Sequence, residues 1–159
     1  MTIAALTRRM RDMSSTVASA PVRAVVQRVS RASVSVDGTV TGAIGPGLLV
    51  LLGVTHEDTE ATADRIADKV RALRVFGDAD GRMNEPLGDR EVLVVSQFTL
   101  YGDARKGTRP SYVAASPPEH AEPLYEHVCG RLGAARGRFG AHMEVALVND
   151  GPVTLLLEL

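Results

Sequence analysis

Tryptophan is absent from the chain, cysteine occurs once, and phenylalanine and tyrosine occur three times each, so aromatics make up only 4% of the residues. The lone Cys129 can close no internal disulfide and build no cysteine-rich metal centre, which leaves packing to hold the fold. With no secretory signal visible, a free thiol reads as a protein of a reducing compartment, and the cytoplasm is the expected location. Long apolar runs are missing as well. The longest, Leu48 to Leu52, falls far short of the ~20 residues a membrane span needs, and no membrane partner is expected. Charge of one sign is not in excess: 18 Lys and Arg stand against 19 Asp and Glu, a net −1, which excludes attraction of the whole molecule to a polyanion. Any such partner must meet a local basic patch. What is present is 159 residues, 45% apolar and 23% charged, the composition of a soluble globular protein. A chain of that length can bury roughly 70% of its unfolded surface.

Residues 1–22 differ in kind from the remainder. They carry Arg8, Arg9 and Arg11 against the single acid Asp12, leaving 15 bases and 18 acids in residues 23–159. The segment lacks the apolar stretch of a signal peptide. Its Arg and Ser with little acid are also the composition of an organellar transit peptide, but it is read here as a loose extension outside the fold.

From Arg23 the pattern has period two. Ala24, Val26 and Arg28 alternate with Val25, Gln27 and Val29, then Val34 and Val36 with Ser33 and Ser35, up to the hairpin signal Asp37-Gly38. Val40–Ile44 is the expected return strand, Gly45-Pro46-Gly47 the next turn, and Leu48–Val54, apolar on both faces, a central buried strand. Asp58 or Thr59 caps a helix with Ile66, Val70 and Leu73 at i, i+4, i+7 and a solvated polar face of Asp64, Arg65, Asp68, Lys69 and Arg71. Asp78-Ala79-Asp80-Gly81 is a turn, because its Gly comes too early and no Glu closes a calcium loop. Val92–Tyr101 reads as a second buried strand broken by Ser96-Gln97 and Thr99, and residues 102–117 as a basic loop. Ser116-Pro-Pro-Glu119 has the spacing of a capping box opening a helix to about Leu132, in which Pro123 predicts a kink or a later start. Met143–Val148 and Val153–Leu159 are two last strands joined by a turn at Asn149-Asp150-Gly151-Pro152. The order predicts a single α/β domain over residues 23–159, with curved mixed β-sheets in a barrel-like core flanked by two main helices. Val153, Leu155, Leu157 and Leu159 on one face of the last strand, with Leu156 on the other, present more apolar surface than two helices cover. A homodimer is therefore expected.

Conventional catalytic motifs are missing. His56, His120, His127 and His142 are scattered, none in H-E-x-x-H, and no metal or other cofactor is expected. G-x-S-x-G, G-x-x-x-x-G-K-[ST] and G-x-G-x-x-G do not occur. Cys129, beside Val128 and Leu132 on a helix, reads as a buried small apolar residue rather than a nucleophile. Two segments stand out: Ser96-Gln97-Phe98-Thr99-Leu100, polar groups at the end of a core strand, and Asn149 to Thr154, turn chemistry before another. Taken alone, each also has a purely structural explanation, as satisfied backbone and an ordinary turn.

Together with RAVVQRVSRASVSVDG at 23–38, GPGLLVLLGV at 45–54, VVSQFTLYGDARKG at 94–107 and LVNDGPVT at 147–154, these segments make the body of the chain resemble the D-aminoacyl-tRNA deacylases of the D-tyrosyl-tRNA deacylase type. The resemblance implies hydrolysis of the ester of D-aminoacyl-tRNA, and of mischarged glycyl-tRNA, in translation proofreading. It further implies a homodimer whose active sites lie at the interface, each joining SQFTL of one subunit to a cis Gly151-Pro152 of the other. Main-chain carbonyls there would exclude an L side chain, with Arg28 anchoring the neighbouring Gly-Pro. The Phe98 and Thr99 amides are then candidate oxyanion donors, while Ser96, Gln97 and the Thr99 hydroxyl position the terminal adenosine. No His, Lys or carboxylate is tied to Thr99 in sequence, so the ribose 2′-hydroxyl is expected to activate water. Arg105, Lys106, Arg109, Arg131, Arg136 and Arg138 are candidate contacts to the tRNA phosphates. Two other readings remain: a non-catalytic nucleic-acid-binding dimer of the same fold, and a Thr99-dependent hydrolase of another ester.

Overall fold

The structure, a computed structural model, describes residues 21–159; Arg8, Arg9, Arg11 and Asp12 of the extension lie outside the described residues. Strand β1 (Arg23–Val36) organises the sheet. One edge pairs along its length with β8 (Glu144–Glu158), antiparallel. The other edge is shared: Arg23–Val29 pair with β3 (Gly47–Gly53) and Ala32–Val36 with β2 (Thr39–Ile44). A strand serving two partners on one edge must bend, and the sheet curls with it. The Asp37-Gly38 hairpin forms as predicted, with both residues at positive φ, 50° and 79°.

β3 lies parallel to β6 (Glu91–Ser96), a pairing that needs a crossover connection. Helix α1 (Glu60–Ala72) and the hairpin of β4 (Phe76–Gly77) and β5 (Met83–Glu85) supply it. β6 then pairs with the short β7 (Ala135–Arg136), whose backbone abuts β2: a Cβ on Gly42 would lie 2.7 Å from the Arg136 carbonyl oxygen. The ends of the sheet thus nearly meet, which gives the barrel-like core.

Two apolar cores explain why β3 and β6 are hydrophobic on both faces. Leu48, Val50, Leu52, Val92 and Val94 face a core under the helices; Leu49, Leu93 and Val95 face a second, inside the curl, with Val29, Val34 and Ile44. Each such side chain, fully buried, contributes about 1.5–3 kcal/mol. Val22 is also core, at 2% exposure, and its carbonyl accepts from the Leu159 amide at 3.1 Å, so the packed body includes this residue.

Thr59 caps α1: its hydroxyl accepts from Thr62 N while Thr62 Oγ1 accepts from Thr59 N. The predicted box at Ser116 does not form. Pro117 is the N-cap of α2 (Pro118–Leu132), and the Ser116 hydroxyl bonds His120 Nδ1 instead of a helix amide. α2 begins well before Pro123 and runs through it to Gly133, which adopts the left-handed conformation expected past a helix end. The polar face of α1 is not simply solvated, since Asp64 pairs with His127 at 2.6 Å and Asp68 with Arg131 at 2.8 Å on α2.

Candidate active site

The segment expected to be one strand to Tyr101 changes conformation at Ser96. Gln97 N makes the last ladder bond, to Leu52 O at 2.7 Å, and Phe98–Tyr101 wind into a single 3-10 turn. The turn is pinned at its far end. Tyr101 is buried, with its hydroxyl donating to Pro21 O at 2.6 Å, and burial pushes that hydroxyl's pKa up. Arg23 donates from Nη1 to Leu100 O at 2.9 Å, and its guanidinium carbon lies 5.1 Å from the centre of the Tyr101 ring. Arg23 Nε in turn faces Glu158 at 3.1 Å, tying the turn to both strands at one end of the β1–β8 ladder.

At the near end, the amides of Phe98 and Thr99 find no acceptor among the described residues. The Gln97 side-chain amide donates to the Thr99 hydroxyl. No His, Lys or carboxylate among the described residues bonds that hydroxyl, so nothing on the chain activates it as a nucleophile. Ser96, Gln97 and Phe98 open into a mostly apolar cleft of roughly 530 Å³, whose opposite wall includes Phe139, His142 and Met143. Sequence reading missed that wall: the segment around Gly140 carries loop composition and no motif. It also missed Arg23 and Tyr101, whose roles depend on contacts far apart in sequence.

Asn149 to Pro152 do not join two strands. β8 is continuous, and between the pairs Gln27–Thr154 and Val29–Asn149 it sets Asp150, Gly151, Pro152 and Val153 against the single residue Arg28. The four residues therefore bulge from the ladder. Asn149 closes the base of the bulge, its Oδ1 accepting from Val153 N at 3.1 Å and its Nδ2 donating to Thr154 Oγ1 at 3.0 Å. Arg28 holds it from beneath. Its side chain is 16% exposed; Nε donates to Asp150 O at 3.1 Å and Nη1 to Val75 O at 2.6 Å. Gly151 sits at φ +125°, where a Cβ would lie 2.9 Å from Arg28 Nη2, so no larger residue fits without displacing the guanidinium. The Gly151-Pro152 peptide is cis, and both residues are exposed. Neither lines the cleft beside Phe98 of the same chain.

The basic candidates divide. Arg105 is spent on Asp103, whose carboxylate it holds down at about 2; Arg131 pairs with Asp64 and Asp68, and Arg136 with Glu126. Lys106, Arg109 and Arg138 form no ion pair among the described residues. Cys129 is fully buried, and burial pushes its thiol up to about 11.

Comparison with known proteins bears on these features. The family profile described as D-Tyr-tRNA(Tyr) deacylase matches residues 25–158. A relative from Opitutus terrae named D-aminoacyl-tRNA deacylase is 59% identical over 145 residues, covering 86% of this chain and 97% of the relative. Another so named, from Roseiflexus castenholzii, is 60% identical over 144 residues, 86% of this chain and 92% of the relative. Among solved structures, one named c-Myc DNA Unwinding Element Binding Protein superposes with a TM-score of 0.80 at 42% identity, covering 86% of this chain and 97% of that one. A structure of a probable eukaryotic D-amino acid tRNA deacylase shares the fold, with a TM-score of 0.76 at 14% identity, 87% of this chain and 99% of that one. The sequence match and the fold agree, and the chain belongs to the D-Tyr-tRNA(Tyr) deacylase family.

Proposed function

We propose that this protein hydrolyses D-aminoacyl-tRNA, and glycyl-tRNA, while sparing L-aminoacyl-tRNA, as a homodimer with two sites shared across its interface. The observation that carries this is the pair of unpaired amides at Phe98 and Thr99, at the mouth of a cleft, on a turn braced by Arg23 and Tyr101. Water, activated by the ribose 2′-hydroxyl, forms a bond from its oxygen to the ester carbonyl carbon. The developing oxyanion is received by the two amides, a contribution worth about 3 kcal/mol per donor where it has been removed in other enzymes. The bond from that carbon to the ribose 3′-oxygen then breaks, that oxygen takes the proton the attacking water gives up by way of the 2′-hydroxyl, and free tRNA and the amino acid leave. Ser96, Gln97 and the Thr99 hydroxyl hold the terminal adenosine.

Handedness is sensed by exclusion. The exposed Gly151-Pro152 bulge, absent from its own cleft, enters the partner's; its main-chain carbonyls accept the substrate amino group and leave no room for an L side chain. Glycine, with no side chain, is admitted. Arg28 keeps the bulge from relaxing. Lys106, Arg109 and Arg138 meet phosphates, which gives affinity without reading sequence, as an enzyme acting on many tRNAs requires. The 42% identical structural neighbour is named for binding a DNA element, which keeps a nucleic-acid-binding dimer as the second reading. Purified protein incubated with D-tyrosyl-tRNA and L-tyrosyl-tRNA separates them: the D ester is consumed and the L ester persists. Equal hydrolysis of both, or of neither, ends the proposal, and tight binding without turnover selects the second reading.

A further inference from the structure

We infer that Tyr112 is a stacking platform for the unpaired nucleotide preceding the terminal adenosine; this deepens the proposed function and rests on it. Tyr112 lies outside the cleft but next to its rim. Its ring meets that of Phe98 edge to face, with centroids 5.2 Å apart and planes at 70°. It also lies against the backbone where the 3-10 turn ends, since a Cβ on Gly102 would come within 3.0 Å of Tyr112 Cε1. Its carbonyl accepts from Ala115 N at 3.0 Å. A ring packed on two sides, on a backbone that is itself hydrogen-bonded, yet 39% exposed, is an aromatic surface made ready before any ligand arrives.

The surroundings identify the ligand by charge. Asp103 and Ser111 exchange two backbone bonds, at 2.8 and 2.9 Å, which close the intervening residues into a loop based beside Tyr112. That loop carries Lys106 and Arg109, which form no ion pair among the described residues, while its acid Asp103 is neutralised by Arg105. An exposed aromatic at the foot of free cations, continuous through Phe98 with a cleft for the 3′ end, fits a single strand of RNA: bases stack on the ring and phosphates meet the cations.

The test compares D-tyrosyl-tRNA with the 3′-D-tyrosyl ester of adenosine, which lacks the upstream nucleotide. Tyr112→Ala is expected to raise KM for the tRNA roughly tenfold to a hundredfold with kcat retained, the usual effect of losing one base–aromatic stack. The loss should be confined to the tRNA, and Tyr112→Phe should restore it, because stacking uses the ring and not the hydroxyl. Equal losses on both substrates, no loss on either, or failure of Tyr112→Phe to restore binding overturns the platform. Because the chain has no tryptophan, Tyr112→Trp supplies a direct probe. Its fluorescence should be quenched by the trinucleotide CCA, and an unchanged signal at saturating CCA contradicts the inference. If wild type hydrolyses neither D substrate, the underlying deacylase reading has failed, an outcome distinct from these.

Discussion

Removing one amide hydrogen is possible without removing the backbone that carries it. Phe98 opens the 3-10 turn, and Gln97 before it has φ −140° and ψ 75°, outside the α region that a following proline disfavours. Phe98→Pro should therefore preserve the turn while deleting one oxyanion donor. Its kcat on D-tyrosyl-tRNA is expected to fall about 100–1,000-fold relative to Phe98→Ala, which keeps the donor and loses only the ring. Thr99→Ala should retain deacylation within about tenfold, since an unactivated hydroxyl is not the nucleophile. Complete loss with tRNA binding intact would make Thr99 the nucleophile instead. These residues were legible in sequence as polar interruptions of an apolar run. Their conformation was not, because Phe98 and Leu100 continue the alternation of the preceding strand, and only the anchoring of Leu100 O by Arg23 and of Tyr101 by Pro21 and Gly53 ends it.

Among the elements, helix α2 shows how burial sets chemistry. It turns Leu124, Tyr125, Val128, Cys129 and Leu132 inward against the sheet. The Cys129 thiol is raised from 9.0 to about 11, chiefly by burial, so the folded state favours its protonated form. Stability from this group is fully present below pH 9 and is lost as pH rises from 9 to about 11. Burial raises the Tyr101 and Tyr125 hydroxyls too, and they act in the same direction above pH 10. Denaturant midpoints measured across this range should begin to fall at pH 9 in the wild type but only near pH 10 in Cys129→Ala. A wild-type midpoint that is flat to pH 10 would show that the thiolate costs nothing in the fold. Element existence was mostly readable from periodicity: β1, β2, β3 and α1 lie close to where alternation and caps predict them. β8 was not readable as one strand, because Asn-Asp-Gly-Pro is good turn chemistry. Its continuity depends on β1 offering a full-length partner while Arg28 holds the bulge in place.

For the whole molecule, the two halves of the proposed site stand on different parts of the chain. The amides of Phe98 and Thr99 serve a cleft that Gly151 and Pro152 of the same subunit do not line. The proposed two-fold dimer would join them, because each subunit could then lend its bulge to the other's cleft. Exposed Leu156 and Val148, on the same strand as the bulge, supply apolar surface for such an interface. Surplus apolar area in the last strand was the sequence reason to expect a dimer, but Val153, Leu155, Leu157 and Leu159 pack against the chain's own core, and of that set Leu156 is the exposed one. Which residues such a dimer would unite came from the resemblance, and the fold adds that the bulge and the cleft are separate within one chain.

Subunit mixing tests that arrangement most directly. Gly151→Ala disables the bulge, since φ +125° strains any residue with a Cβ and that Cβ would push on Arg28, and Phe98→Pro disables the amide pair. Each alone should be nearly inactive on D-tyrosyl-tRNA. Unfolding and refolding the two together makes dimers in which one of the two sites combines an intact cleft with an intact bulge. Activity should return to about a quarter of wild type, because about half the dimers are mixed and each holds one working site. Mixed dimers that form, as shown by distinguishable tags, yet remain as inactive as either parent would contradict a site shared between subunits.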